Sequence, residues 1–188
     1  MNDQIKEMIK QSIETHGEVL NLTEQIGQSA NLMISSLKQG NKIISCGNGG
    51  SAAQAQHFSA ELIGRFEAER QSIPSISLTT DTSNITALGN DYGFNTIFKR
   101  QIESLGKTGD ILICLSSSGN SENLIQAIQE AKSKNIKVIN LLGKDGGNMR
   151  YLGDINIIIS SQNTARVQEC HILILHILAK LIEDSFLS

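Results

Sequence analysis

Two pairs of side chains have the types and spacing to bind a metal ion. His57 and Glu61 are four residues apart after a glycine cluster, in CGNGGSAAQAQHFSAEL (residues 46–62), so a helix there would carry both on one face. Gln168 and His176 are eight apart, about 80° around an ideal helix, hence loosely on one side. Two imidazoles, a carboxylate and an amide carbonyl are together compatible with Zn²⁺. Each pair alone is weak evidence for a metal site, because such residues more often lie on a solvated helix face or, for a histidine, in the core.

Two loops have the composition to hold an anion. The sequence GNGGSA (residues 47–52) matches G-x-G-x-x-A only loosely, lacks the acidic residue of dinucleotide sites, and could be a plain tight turn. The second loop, SSSGNS (residues 116–121), leads into a helix and offers four hydroxyls and free backbone N–H groups. One serine would be enough for N-capping. We therefore expect the serine loop to bind a phosphate monoester.

The elements that position these residues alternate along the chain. Continuous rather than alternating apolar strands indicate a sheet covered on both faces, so the fold class is α/β with a doubly wound, parallel, five-stranded sheet. Its ligands should bind beyond the carboxyl ends of the strands, where both loops lie. Strands are predicted at residues 42–46, 75–79, 111–115, 137–142 and 155–159; helices are predicted as two within 3–39, then at 51–64, about 82–89, 95–105, 121–134 and 164–185.

Composition and charge narrow the class of protein. A chain of 188 residues with 39% apolar residues and one proline suits a single globular domain over residues 1–188, with an N-terminal helical arm (1–40) and an α/β core (41–188). A net charge of −3 without a basic run offers little electrostatic attraction to nucleic acid. Three isolated cysteines predict buried, reduced thiols, and the polar start shows no signal peptide, so we expect a cytoplasmic protein.

The last predicted helix is apolar almost all round. Its run CHILILHILAKLI (residues 170–182) covers only thirteen residues and is interrupted by histidines and a lysine, whereas a membrane span needs roughly 20 apolar residues. We expect this long C-terminal helix to be buried, partly against other subunits of a homo-oligomer.

Several motifs together resemble those of a known family. CGNGGS, HFSAEL, GNDYGFN, LSSSGNS, LLGKDGG and RVQECHILILHIL are similar to segments of the sugar isomerase (SIS) domain family, and within it of the phosphoheptose isomerases, along nearly the whole chain. The resemblance implies a flavodoxin-like SIS fold, a homotetramer with active sites at subunit interfaces, and one Zn²⁺ per subunit. It also implies ketose–aldose conversion of D-sedoheptulose 7-phosphate into D-glycero-D-manno-heptose 7-phosphate through a metal-stabilised enediolate. That reaction begins the supply of ADP- or GDP-heptose for lipopolysaccharide or capsule.

The resemblance also implies roles for individual residues. Glu61 would take a proton from carbon, and His176 would act as an acid at oxygen. The implied metal ligands are His57, Glu61, Gln168 and His176. The implied substrate contacts are Asn48, Gly49, Gly50, Glu61, Asn90, Asp91, Ser116, Ser117, Ser118, Ser121 and Gln168.

Two non-enzymatic alternatives remain open at this point. A SIS protein could bind a replication initiator, or it could sense a phosphosugar as a regulatory domain. Neither needs a metal set, so the presence of all four candidate ligands favours the isomerase.

Overall fold

The computed structural model describes residues 1–187 and begins with two helices. Helix α1 (Asn2–Glu18) and helix α2 (Thr23–Lys38) are joined by a short 3-10 turn. The apolar side chains of α2 recur every three or four residues and lie in the core, which is the pattern of a helix with one buried face. The two predicted N-terminal helices are confirmed.

The sheet has five parallel strands in the order β2-β1-β3-β4-β5. Strands β1 and β3 are buried along their whole length, as their continuous apolar sequences predict. The strands are β1 (Ile43–Gly47), β2 (Ser75–Ser77), β3 (Ile111–Ser116), β4 (Lys137–Gly143) and β5 (Ile155–Ile159). The helices after β1 are α3 (Gly50–Ile63), α4 (Thr82–Tyr92), α5 (Ile97–Leu105), α6 (Glu122–Ser133) and α7 (Thr164–Phe186).

The strand order confirms the predicted doubly wound fold and fixes where a ligand would bind. Helices α2, α3 and α7 cover one face of the sheet, and α5 and α6 cover the other. From β1 the chain builds outward in one direction to β2 and in the other to β3, so the order reverses between β1 and β3. In such sheets, the crevice at the carboxyl ends of these two strands is the usual ligand site. The glycine loop follows β1, and the serine loop follows β3.

Most predicted element boundaries lie within two residues of the observed ones, and two of the differences have a structural reason. Strand β2 ends at Ser77 rather than at residue 79, because it is an edge strand paired with β1 over only three residues. Helix α4 continues to Tyr92 instead of ending near residue 89, so Asn90 and Asp91 lie in its last turn. The turn follows at Gly93, whose φ of +87° suits glycine.

Helix α7 is the longest helix of the fold and packs on its neighbours α1, α2 and α3. It buries residues on several sides, among them Cys170, His171 and Glu183, as expected for a helix inside the protein. The three cysteines are free and buried, as predicted. Within residues 1–187, no helix combines the length and the apolarity that a membrane span needs.

Candidate functional site

Three of the predicted metal ligands meet at one point on the surface. The Nε2 atom of His57 lies 2.9 Å from Nε2 of His176 and 3.1 Å from Oε1 of Glu61. All three side chains belong to the same chain, and their ligand atoms lie within 4.8 Å of one another. The His57 side chain is 44% exposed and that of Glu61 is 20% exposed, so the cluster is open to solvent.

The packing of α3 beside α7 creates this cluster. The two helices run side by side in the same direction, because Gly50 lies near Gln168 and His57 lies near His176. The rings of His57 and His176 meet edge to face, with centroids 5.1 Å apart. The ring of Phe66 lies 5.5 Å from that of His176.

The donor atoms of the cluster fit a divalent cation. Nitrogen and oxygen ligands at bond lengths of about 2.0–2.2 Å around a tetrahedral Zn²⁺ lie roughly 3.3 Å apart. The separations of 2.9 and 3.1 Å are close to that value. Two imidazoles and one carboxylate also form a ligand set typical of catalytic zinc, which keeps one position open for substrate.

Gln168 lies beside the glycine loop. A Cβ added to Gly50 would come within 2.6 Å of the Gln168 Nε2 atom, so the amide packs against the bare face of that glycine. The backbone carbonyl of Gln168 accepts a hydrogen bond of 2.6 Å from Nε2 of Gln54, a residue to which the sequence assigned no role. The backbone positions of Gln168 and His176 are separated by about 12 Å of helix rise, and Gln168 stays a predicted ligand.

A partly buried pair of amides links the glycine loop to the helix that follows the serine loop. Asn48 of the glycine loop and Asn123 of helix α6 each donate a side-chain hydrogen bond of 2.9 Å to the other. Asn123 is 2% exposed and was not recognised from the sequence, where it looks like an ordinary residue of the first helical turn. The pair holds Asn48, a predicted substrate contact, at a fixed distance from the serine loop.

The serine loop is folded tightly on itself. Ser116 Oγ accepts a hydrogen bond of 3.0 Å from the Gly119 backbone, and Ser118 Oγ accepts one of 3.2 Å from the Asn120 backbone. Gly119 has φ +66°, and a Cβ there would collide with the backbone of Gly146. Ser121 is the N-cap residue of α6; its side chain makes no capping hydrogen bond, and its hydroxyl lies 3.5 Å from that of Ser116.

The remaining predicted substrate contacts lie at three places. Gly49 and Gly50 are exposed at the start of α3, where Gly49 has φ +56°. Ser117 is partly exposed in the serine loop. Asn90 and Asp91 are exposed at the end of α4, where Asn90 Nδ2 donates a hydrogen bond of 2.8 Å to Asp91 Oδ1.

His171, the other histidine near the site, is a buried structural residue. Its Nε2 lies 3.2 Å from the backbone oxygen of Leu142. Burial lowers the pKa of His171 to about 4, opposed only in part by that hydrogen bond. The imidazole is therefore neutral at physiological pH.

Comparison with known proteins shows the family of the chain. The pattern of the SIS domain family matches residues 3–143. A phosphoheptose isomerase of Campylobacter concisus is 46% identical over 186 residues, covering 97% of this chain and 98% of that protein. The chain belongs to the SIS domain family, and within it to the phosphoheptose isomerases. A phosphoheptose isomerase of a Nitratiruptor species is 55% identical over 155 residues, covering 82% of this chain and 83% of that protein.

A solved structure of the same family has the same fold. The structure of the phosphoheptose isomerase GmhA from Neisseria gonorrhoeae superimposes with a TM-score of 0.92 at 41% identity, covering 97% of this chain and 98% of that one. The sequence expectation of the family and of the SIS fold is confirmed. The two non-enzymatic alternatives lose their support, since both of these relatives are named as isomerases.

Proposed function

We propose that this isomerase converts D-sedoheptulose 7-phosphate into D-glycero-D-manno-heptose 7-phosphate. The observation that carries the proposal is the His57–Glu61–His176 cluster on the helix pair that begins at the glycine loop. The names of relatives that share about half of the sequence support the same substrate.

The phosphate is held by the serine loop in this proposal. Ser116, Ser117, Ser118 and Ser121 surround the N-terminus of α6, where hydroxyls, backbone N–H groups and the helix dipole all favour an anion. The Asn48–Asn123 pair sets the distance between the serine loop and the glycine loop. The sugar is contacted by Gly49 and Gly50 of the glycine loop and by Gln168. Asn90 and Asp91 would approach the sugar from the end of α4.

The isomerisation itself is assigned to the side chains of the cluster. His57, Glu61 and His176 would hold a divalent cation, for which we propose Zn²⁺, with Gln168 as the fourth ligand. Such a cation, when bound, polarises the oxygens at C1 and C2. Glu61 takes the proton from the carbon next to the carbonyl and returns it to the neighbouring carbon. His176, the more enclosed imidazole, moves protons at oxygen.

The arrangement in the cell is also part of the proposal. We expect a cytoplasmic homotetramer with one Zn²⁺ per subunit and with active sites near subunit interfaces. Its product would feed ADP- or GDP-heptose synthesis for lipopolysaccharide or capsule. Exposed apolar side chains along α1 support an oligomer, since Met8, Ile9 and Ile13 are each more than half exposed in the single chain.

One assay tests the proposed function directly. The purified protein is stripped with a chelator, divided, and incubated with sedoheptulose 7-phosphate with and without added Zn²⁺, and the aldose is detected by chromatography. We expect aldose only in the zinc-loaded sample, and none from His57→Ala protein. Full activity in the stripped sample would contradict metal dependence, and no aldose in any sample would contradict the substrate.

A further inference from the structure

A buried carboxylate behind the cluster organises the chain that follows α3. Glu183 of α7 is 0% exposed and accepts three backbone hydrogen bonds of 3.0 Å, from Phe66, Glu67 and Ala68. Its Oε1 atom also lies 3.3 Å from Nε of Arg70, whose side chain is 1% exposed. The segment from residue 66 to residue 70 is thereby fastened to α7.

Arg70 extends this connection to the end of α3. Its two terminal nitrogens donate hydrogen bonds to the backbone oxygens of Glu61 at 2.7 Å, Leu62 at 2.9 Å and Gly64 at 3.1 Å. The last carbonyls of a helix have no hydrogen-bond donor within it, so Arg70 supplies donors to carbonyls at the end of α3. One of those carbonyls belongs to Glu61, the proposed base.

The same connection also reaches His176. The backbone N–H of Phe66 is bonded to Glu183, and the ring of Phe66 lies against the imidazole of His176 at 5.5 Å between centroids. Glu183 is therefore connected to the end of α3 through Arg70, and to the imidazole of His176 through Phe66.

The charge state of Glu183 agrees with this role. Burial alone would raise its pKa, but the hydrogen bonds from Ala68, Glu67 and Phe66 and the charge of Arg70 outweigh burial and hold the pKa of Glu183 below its usual value. A buried ion pair is a costly way to stabilise a fold, and apolar residues of similar volume often serve equally well. Its location beside the cluster suggests a use beyond stability.

We propose that Arg70 and Glu183 are positioning residues for the His57–Glu61–His176 cluster. Arg70 fixes the turn of α3 that carries Glu61, and Glu183 fixes the Phe66 ring that supports His176. Neither side chain touches the substrate. The proposal rests on the proposed function only for its turnover readout, because its other readout is the binding of a metal ion alone.

Glu183→Gln, with Asp110→Asn as its matched control, tests the proposal. Asp110 is also a buried carboxylate, 2% exposed, that accepts backbone hydrogen bonds from Lys42 and Lys107 and pairs with the Lys42 ammonium. It precedes β3, and these lysines lie outside α3 and α7. Both substitutions preserve shape and remove one negative charge, so both should lower the melting temperature.

The two variants should differ in how they bind Co²⁺, a spectroscopic probe for a site of this type. We expect Glu183→Gln to weaken Co²⁺ binding and lower kcat by about 10–100-fold, the usual cost of disturbing residues that support metal ligands. Its Co²⁺ absorption spectrum should change as well. Asp110→Asn should keep the wild-type spectrum, Co²⁺ affinity and kcat.

Two further variants keep the test decisive if Glu183→Gln does not fold. Arg70→Lys keeps the charge but loses the fork that binds several carbonyls, and Phe66→Leu removes only the ring beside His176. Each should alter the Co²⁺ spectrum. Wild-type spectra and kcat in the folded variants, or a wild-type chain that binds no Co²⁺, would overturn the proposal. A Co²⁺ spectrum that changes as expected in a protein inactive on sedoheptulose 7-phosphate would instead support the positioning role and contradict the proposed function.

Discussion

Replacing Gly50 by alanine should displace the side-chain amide of Gln168 and change little else in the protein. The new Cβ would lie 2.6 Å from Nε2 of Gln168, whereas ordinary contact begins at 3.4 Å, so the amide must retreat by about 0.8 Å. Gly50 is the first residue of α3, and alanine favours a helix over glycine by up to about 1 kcal/mol, so the fold should not weaken. A misplacement of about 1 Å in a catalytic site can cost on the order of 100-fold in rate. We expect Gly50→Ala to lose about 10- to 100-fold in kcat/KM.

The assay compares kcat, KM, zinc content and melting temperature in wild type, Gly50→Ala and Gly17→Ala. Gly17 is a suitable control because it is exposed near the end of α1 and an added Cβ would meet nothing within 4 Å. Both substitutions add one methyl group to a helix. Only Gly50→Ala should lower kcat/KM, and neither should lower the melting temperature.

A double-mutant cycle shows whether the effect passes through Gln168. If the methyl group acts by displacing that amide, Gly50→Ala should cost little more in a Gln168→Ala background, because the displaced group is already absent. Additive losses would show that Gly50 acts on the substrate directly. Wild-type kinetics in Gly50→Ala itself would refute the role proposed for the Gln168 amide at this position.

Three other predictions follow from the same geometry. Ser116→Ala with Ser118→Ala should weaken binding of sedoheptulose 7-phosphate by about a hundredfold or more, because two hydroxyl bonds to a charged group are lost; an equal loss for the unphosphorylated sugar in a titration would place the phosphate elsewhere. Mixed oligomers of His57→Ala and His176→Ala chains should stay inactive, since one chain supplies both imidazoles at 2.9 Å, and restored activity would show sites built across chains. Glu61→Gln should lose about 10²–10⁴ in rate, and the wild type in D₂O should place deuterium at C2 of the aldose; a near-normal rate without deuterium would exclude Glu61 as the base.

Much of the fold could be predicted because its signals are local. The predicted strands at residues 42–46 and 111–115 are mostly apolar without alternation, and the observed strands β1 and β3 are buried throughout. The ends of α4 and β2 were predicted wrongly, because the local composition does not determine where either element stops. Asn90-Asp91-Tyr92-Gly93 has the composition of a turn, yet the helix persists until Gly93, and β2 is short because it pairs on one side only.

The candidate site could be predicted in part for the same reason. The spacing of His57 and Glu61 lies within one helix, and their 3.1 Å contact follows from it. The contact between His57 and His176 spans 119 positions and depends on how α3 and α7 pack, which no local pattern encodes. Resemblance to the family supplied that pairing in advance. It supplied nothing about Asn123 or Gln54, whose hydrogen bonds also cross between elements.

The residues behind the cluster show what a sequence pattern could still have revealed. Glu183 follows His176 by seven residues, which is about 20° short of two full turns, so the two share one face of α7. A polar face in an otherwise apolar helix costs free energy unless each group has a partner. The next residue, Asp184, is exposed and pairs with Lys180, so the acidic neighbours Glu183 and Asp184 differ only in their direction around the helix. Arg70 carries no comparable signal, because it lies in a loop among other charged residues. Its partner could be found only where α3 ends against α7.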